Sequence, residues 1–463
     1  MLTLAAVFAT TALADDWKTR VIVLTDLKRT HETDDTQSLI RLLAWADLVE
    51  IEAIVVSSGM NYWEPQHAVE GYAYGFELLQ AYRHDVSNLM KLNGQLSFEP
   101  VEARQRAGYW PSPDYLVRRY VLGTPLQGLD KIGLGKDNDG SRLITSIIDE
   151  PDDRPVYVLA WGGANVLAQA MWDLTENPER RRSPEAVAAF VSKLRVIAIG
   201  DQDVPWNTRR NPDQTTNSGH WLRTRFPGMH WLMVASGGFR SASRDRQPFY
   251  QAHIQGHGAL GDKYPDHSNG IEGDTPSLFH VLPLGFGDPA RPDWGTLDGV
   301  YQVLPQEGEL AQVWRSPTTE QPGAGLSQTI GESVTPALWN LLATRLDWAR
   351  SGTGNRGPHI VVDGDADWRP LRRRVSAGKT LTLDADATYD EEKDDLTFRW
   401  EVLPLPGARS EGVVLSSVGK SRVEVRIPTD AGGATVHILL TVTDDGAGHH
   451  LSSWRRVVVD VIP

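Results

Sequence analysis

A chain of 463 residues is too long for one ordinary domain, so two or three are expected. A hydrophobic fraction of 40% supports packed cores, and a net charge of -14 argues against nucleic acid and anionic membranes, which recruit basic patches. The absence of cysteine excludes disulfides, thiolate zinc sites and cysteine nucleophiles. Residues 1–14 are apolar and end Ala12-Leu13-Ala14 before Asp15-Asp16, which reads as the apolar region and cleavage site of a signal peptide lacking its basic start. The run is shorter than the ~18–20 apolar residues a membrane span needs, so the expected location is secreted or periplasmic.

From residue 18 to 350, short apolar runs alternate with amphipathic stretches. Strands are predicted at Val21–Leu24, Ile51–Ser57, Val156–Ala160, Leu194–Ile199 and His230–Val234. Helices are predicted at Ser38–Ala46, His67–Tyr82, Gly140–Ile148, Ala164–Leu174, Pro184–Val191 and Thr335–Arg350. This alternation is the signature of βαβ units and a mostly parallel open sheet with helices on both faces. The stretch Asn211–Asp293 is rich in Gly, Pro, His and Asp and reads as long irregular loops. Residues 351–358, SGTGNRGP, read as a linker. Beyond it, residues 359–463 switch to period two, with strands at Lys379–Ala385, Leu396–Val402, Arg422–Ile427, Val436–Val442 and Trp454–Ile462, as in an antiparallel β-sandwich.

The first strand ends on Asp26, and Asp34-Asp35 stand before the first amphipathic run. Carboxylates gathered beyond the carboxyl end of a parallel strand make a hard, all-oxygen pocket suited to Ca²⁺ or Mg²⁺. Their mutual repulsion must be relieved by a cation or by raised pKa values. A purely structural reading has Asp34 capping the helix and Asp35 favouring its dipole, which leaves Asp26 unexplained.

Thr25-Asp26, Asp34-Asp35 and Ser38-Leu39-Ile40-Arg41-Leu42-Leu43 together resemble the N-terminal signature of nucleoside hydrolases. They resemble still more the nucleoside hydrolase-like domain of bacterial cellulose-binding proteins. Leu24 replaces the first Asp of the hydrolase Asp-x-Asp, and the spacer from Asp26 to Asp34 is longer than in the true enzymes. The resemblance extends to Val158-Leu-Ala-Trp-Gly-Gly-Ala-Asn165, to Ile199-Gly-Asp-Gln-Asp203 and to Gly270-Ile-Glu-Gly-Asp274. It implies a metal held by Asp26, Asp35, Asp274 and the Ala164 carbonyl, with Asp26 as general base. By the same resemblance, Asp34, Asn61, Asn165, Asp201 and Asp203 would contact substrate. Asp201 and Asp203 read equally as a surface acidic loop, and the Gly162-Gly163 pair as a tight turn. Where many of the hydrolases carry a leaving-group histidine, this chain has Gly273; His257 and His267 are the nearby substitutes.

Leu383-Asp-Ala-Asp-Ala-Thr-Tyr-Asp390, Leu396-Thr-Phe-Arg-Trp400 and Leu440-Thr-Val-Thr-Asp-Asp-Gly446 resemble the polycystic-kidney-disease repeat, an immunoglobulin-like spacer or weak binding module. Its acidic turn Asp390–Asp395 reads either as a solvated turn or as a Ca²⁺ holder. The expected function is a Ca²⁺-dependent hydrolase of an N- or O-glycosidic bond in a glycan or ribosyl substrate; nucleoside hydrolases are commonly oligomers, but no stretch of the sequence reports an interface. The competing expectation is a non-catalytic binder of cellulose-like polysaccharide using Trp110, Trp161, Trp206 and Trp294, drawn from 16 tryptophans, as sugar platforms.

Overall fold

The structure, a computed structural model, describes residues 17–30, 32–60, 65–204, 216–235, 237–267 and 271–463. The signal-peptide reading, Asn61 and Trp206 lie outside these residues. The first part runs β1 (Thr19–Thr25), α1 (Thr33–Ala44), β2 (Val49–Val56), α2 (Pro65–Leu92), α3 (Pro113–Arg118), β3 (Tyr120–Leu122), α4 (Asp139–Asp149), β4 (Val156–Ala160), α5 (Asn165–Thr175), α6 (Pro184–Lys193) and β5 (Leu194–Ala198). It continues α7 (Ser218–Arg225), β6 (His230–Met233), α8 (Gly237–Ser243), α9 (Gln247–His253), α10 (Gly258–Asp262), α11 (Thr275–Val281), β7 (Gln302–Val303), β8 (Gln312–Arg315) and α12 (Leu326–Ser351). The stretch read as irregular loops thus carries α7 to α11, helices too short for a clear apolar period.

The eight strands form one sheet in the order β3-β2-β1-β4-β5-β6-β8-β7, parallel except for the β7–β8 edge pair. Alternation along β1 sends Val21 and Val23 into one core and Ile22 and Leu24 into the other, so both sheet faces are covered. The order reverses between β1 and β4. In a doubly wound sheet this is where a crevice opens beyond the carboxyl ends of the strands. Asp26 follows β1 and Gly162-Gly163 follows β4, on the two sides of that crevice.

The second part is a sandwich of two sheets. One is β10 (Thr380–Asp384), β13 (Arg422–Arg426) and β12 (Val414–Val418). The other is β11 (Thr397–Val402), β14 (Thr435–Thr443), β15 (Ser452–Ile462) and β9 (Leu371–Ser376). Trp400 packs half-buried against the sandwich core. The sandwich does not hang on a free linker. Leu403, Leu405, Leu439, Trp454 and Val458 join the core of the α/β part, and the Arg456 amide donates to the Gly285 carbonyl at 3.0 Å. Among the described residues, no helix is long and apolar enough to cross a membrane.

Candidate metal and substrate site

The helix α1 begins earlier than its apolar period suggests. Glu32 is its N-cap residue and makes no side-chain cap, so Asp34 lies inside the first turn rather than capping it. Both Asp34 and Asp35 therefore stand where the helix dipole favours negative charge. Thr25, at the end of β1, donates its hydroxyl hydrogen bond to Asp35 Oδ1. The Leu27 amide donates to the Thr25 hydroxyl at 3.0 Å, which holds the turn that carries Asp26.

Asp274 arrives from a distant segment, and buried charges fix it there. Arg41 on α1 grips Glu272 through Nε at 2.5 Å and Nη2 at 3.0 Å, both side chains being fully buried. Tyr264 donates to the same carboxylate at 2.7 Å, and the Glu272 amide donates to Gln37 Oε1 at 2.9 Å. These bonds hold Glu272 in the left-handed region (φ 48°), a strained conformation for a residue with a Cβ. On the other side, Ser277 Oγ donates to the Asp274 carbonyl at 2.7 Å and accepts from the Trp161 indole at 2.7 Å.

The outcome is five carboxyl groups in one buried crevice: Asp26, Glu32, Asp34, Asp35 and Asp274. One oxygen from each of Glu32, Asp34 and Asp35 lies within 4.8 Å of the other two, a group that could hold a metal ion. Burial, then the charge of Asp34, pushes the Asp26 carboxyl up to about 7. Burial and the charges of Asp26, Asp34 and Asp35 push Glu32 to about 11. Burial raises Asp34 and, with neighbouring carboxylates, holds Asp35 and Asp274 well above the usual range. Asp35 and Asp274 hydrogen-bond to each other, which two carboxyl groups do only by sharing a proton. Asp26 Oδ2, Asp34 Oδ1 and Asp274 Oδ2 are buried without any hydrogen-bond partner. Orphaned carboxyl oxygens of this kind are hard donors that fit a hard cation better than a soft one.

Glycines make the close approach possible. A Cβ on Gly59 would lie 1.8 Å from Asp26 Oδ2, and one on Gly162 would lie 3.0 Å from Asp26 Oδ1. A Cβ on Gly273 would lie 2.4 Å from Asp34 Oδ2, so a histidine at that position would have to displace Asp34. Gly273→Ala should therefore lower metal affinity by roughly 10–100-fold, the usual effect of disturbing the support of a ligand. Titration calorimetry showing unchanged uptake would remove Asp34 from the site.

The remaining sequence candidates divide. Ala164 is the N-cap of α5, and its carbonyl accepts the first helical hydrogen bond, from the Ala168 amide at 2.9 Å. Only its second lone pair is open to a metal. Asn165 and Asp203 form a buried group beside the crevice. Asn165 Nδ2 donates to Ser58 Oγ at 3.0 Å and lies 3.3 Å from Asp203 Oδ1, which also accepts from the Gly128 amide at 2.9 Å. Burial pushes Asp203 up to about 7. A Cβ on Gly163 would meet Asp203 Oδ1 at 3.0 Å, so the Gly162-Gly163 turn faces one carboxylate with each residue.

Asp201, in contrast, has both oxygens held by Arg223, at 2.7 and 2.8 Å, and serves that ion pair. His257 is not brought to the carboxylates. It bonds Asp347 at 2.8 Å on α12, near Arg345, which binds the Ala44 carbonyl at the C-terminal end of α1. The carboxylates sit at the other end of that helix, about 18 Å away along 12 residues. His267 bonds Tyr250 at 3.0 Å. Trp110 and Trp161 are fully buried, and Trp294 is 9% exposed, so these three are core and not sugar platforms. Glu32 was missed by sequence reasoning, although an acid inside an unusually long spacer was a signal for it.

The family model described as cellulose-binding Sde182, nucleoside hydrolase-like domain, matches residues 20–301. That of the cellulose-binding protein Sde0182 C-terminal domain matches residues 380–461. Among solved structures, a nucleoside hydrolase-related hypothetical protein from Saccharophagus degradans, described as associated with carbohydrate metabolism, is 30% identical with a TM-score of 0.77. The alignment covers 96% of this chain and 100% of that one. A titin M3 domain covers 23% of this chain and 97% of its own, at 14% identity and a TM-score of 0.16, and carries no argument. No curated protein sequence matches the chain.

Proposed function

Because this chain belongs to the cellulose-binding Sde182 family with its nucleoside hydrolase-like domain, we propose that it is a Ca²⁺-dependent hydrolase of an N- or O-glycosidic bond in a glycan or ribosyl substrate, exported to the periplasm or beyond. The observation that carries this reading is the set of three orphaned carboxylate oxygens, Asp26 Oδ2, Asp34 Oδ1 and Asp274 Oδ2, in a crevice at the switch point of the sheet. Burying them unpaired costs stability, and a binding role for the fold alone does not require it. The carbohydrate association of the Saccharophagus degradans relative supports the substrate class.

Asp26, Asp35 and Asp274 would hold the ion, with Glu32 and Asp34 beside it and the Ala164 carbonyl as a further donor. Bound there, Ca²⁺ would supply a template for a sugar diol and make an attacking water more acidic. Asp26, which burial brings to a pKa of about 7, takes a proton from an attacking water as the water oxygen bonds to the anomeric carbon, and the leaving group departs with the bonding electron pair and takes a proton from solvent. Asp34 accepts a hydrogen bond from a sugar hydroxyl. Asn165 and Asp203 present a second polar surface for the sugar. The surrounding negative charge favours the oxocarbenium-like state of glycosyl transfer.

A non-catalytic carbohydrate binder is the second reading, favoured by Gly273 where a leaving-group histidine is expected. An assay of the full-length protein in Ca²⁺ against aryl ribosides, other aryl glycosides and cello-oligosaccharides separates the two. Asp26→Asn should weaken metal binding and, at saturating Ca²⁺, still lose turnover by about 10²–10⁴-fold. Unchanged turnover would refute the role of Asp26. Sugar binding without turnover in the wild-type protein would select the second reading.

A further inference from the structure

A second group of orphaned oxygens lies far from the crevice in sequence, where the linker meets the sandwich. Asn355 in the linker, Asp390 in the loop before β11 and Asp444 in the loop before β15 are 8%, 8% and 2% exposed. Each has a buried oxygen with no hydrogen-bond partner: Asn355 Oδ1, Asp390 Oδ2 and Asp444 Oδ2. Their other atoms are committed in a way that fixes the side chains. Asp390 Oδ1 accepts from the Glu392 amide at 2.9 Å and the Asp394 amide at 3.2 Å. Asp444 Oδ1 accepts from the Leu451 amide at 2.9 Å and the Gly446 amide at 3.2 Å. Asn355 Nδ2 donates to the His449 carbonyl at 3.3 Å, and the Asn355 carbonyl accepts from the Trp348 indole at 3.0 Å.

These side chains converge. The Asn355 amide lies against Asp444, and Asp390 is close enough to repel both Asp444 and Asp394. Gly446 forms the floor: a Cβ there would come within 2.2 Å of Asn355 Nδ2 and 2.6 Å of Asp394 Oδ2. Neutralisation by a side chain is lacking. Arg356, the nearby guanidinium, is taken by Glu391 and Glu392, and Asp390, Asp394 and Asp444 have no ion pair among the described residues.

We propose that the domain junction binds a divalent cation of the Ca²⁺ class through Asn355 Oδ1, Asp390 Oδ2 and Asp444 Oδ2. Water completes a shell of the six to eight oxygens that Ca²⁺ takes. The ligands come from the linker and from two loops of the sandwich, so the ion ties residues 352–358 to the second domain. Hard oxygen donors and a net charge that one divalent ion largely offsets select Ca²⁺ over a transition metal.

The test is calorimetric titration of the chelator-treated full-length protein with Ca²⁺ alone, together with proteolysis of the 352–358 segment. Asp390→Asn and Asp444→Asn keep the Oδ1 atoms that accept backbone amides, so folding is expected to survive, and far-ultraviolet circular dichroism checks it. Each should lose one uptake event, and Ca²⁺ should slow cleavage of the linker in the wild type and in Asp35→Asn but not in these variants. Equal uptake and equal protection in wild type and Asp444→Asn would overturn the proposal. So would a wild type whose only uptake is abolished by Asp35→Asn. Uptake lost in Asp444→Asn but intact in Asp35→Asn would support the junction site while counting against the crevice site, so the two readings fail separately.

Discussion

The stabilisation that Ca²⁺ confers on this protein should grow as pH rises from 5 to 7. In the unfolded chain Asp26 releases its proton near 3.8, whereas in the folded protein it does so at about 7. Between those values the metal-free folded state holds the extra proton, so this group makes the stability fall with rising pH. For Asp26 alone the loss between pH 5 and 7 is roughly 2 kcal/mol. Asp35 and Asp274 are displaced in the same direction, and because the carboxyls share protons their effects do not add simply.

Other groups oppose this trend in the absolute stability. His230 and His437, pushed by burial to about 3, contribute stability that increases as pH rises toward 6.5. Lys18, lowered by burial to about 7, acts in the same sense above that pH. Both contributions cancel when the unfolding free energy in Ca²⁺ is compared with that in chelator at the same pH. That difference, from denaturant unfolding at pH 5, 6 and 7, is the quantity to measure. Asp35→Asn should reduce it strongly at pH 7 while changing the chelator value little. A difference that is flat with pH would mean that the carboxyls do not exchange their protons for the ion.

Glu272→Gln should cost about 3–5 kcal/mol of folding stability, the loss expected when one partner of a fully buried ion pair is neutralised. Arg41 would keep its bond to the Leu338 carbonyl, at 3.0 Å, and its place among Trp45, Phe279 and Trp339. Its charge, however, would be left without a counter-ion in a dry core. The same substitution should weaken metal uptake, because the clamp on Glu272 is what sets Asp274, two residues later, against Asp35. Denaturant unfolding and Ca²⁺ titration on the same preparation check both effects. A cost below about 1 kcal/mol would show that the pair is offset by packing alone.

Several parts of this molecule were legible in its residues because the interactions behind them are local. Apolar runs such as Val21–Leu24 and Val156–Ala160 made parallel strands, and the period-two runs after residue 359 made sandwich strands, since burial on one or two faces writes itself into the pattern. Asp26, Asp34 and Asp35 were visible as a group because one strand and one helix carry them. The edge strand β7 and its neighbour β8, the outer strands β9 and β12 and the short helices α7 to α11 were not visible, because tertiary contacts rather than periodicity hold them.

Only the tertiary structure decided the rest. It separated Asp201, which Arg223 neutralises, from Asp203, which is buried beside Asn165. His257 went to the far end of α1 although it is close to Asp274 in sequence. Glu32 joined the carboxylates, and Trp110, Trp161 and Trp294 were folded into the core. Sequence by itself determined which elements form and which acids end up near a strand terminus, because those follow from hydrophobic period and chain connectivity. Which of those acids remain unpaired was decided by side chains arriving from residues more than 200 positions away, as Glu272 does at Arg41, and no local pattern encodes that meeting.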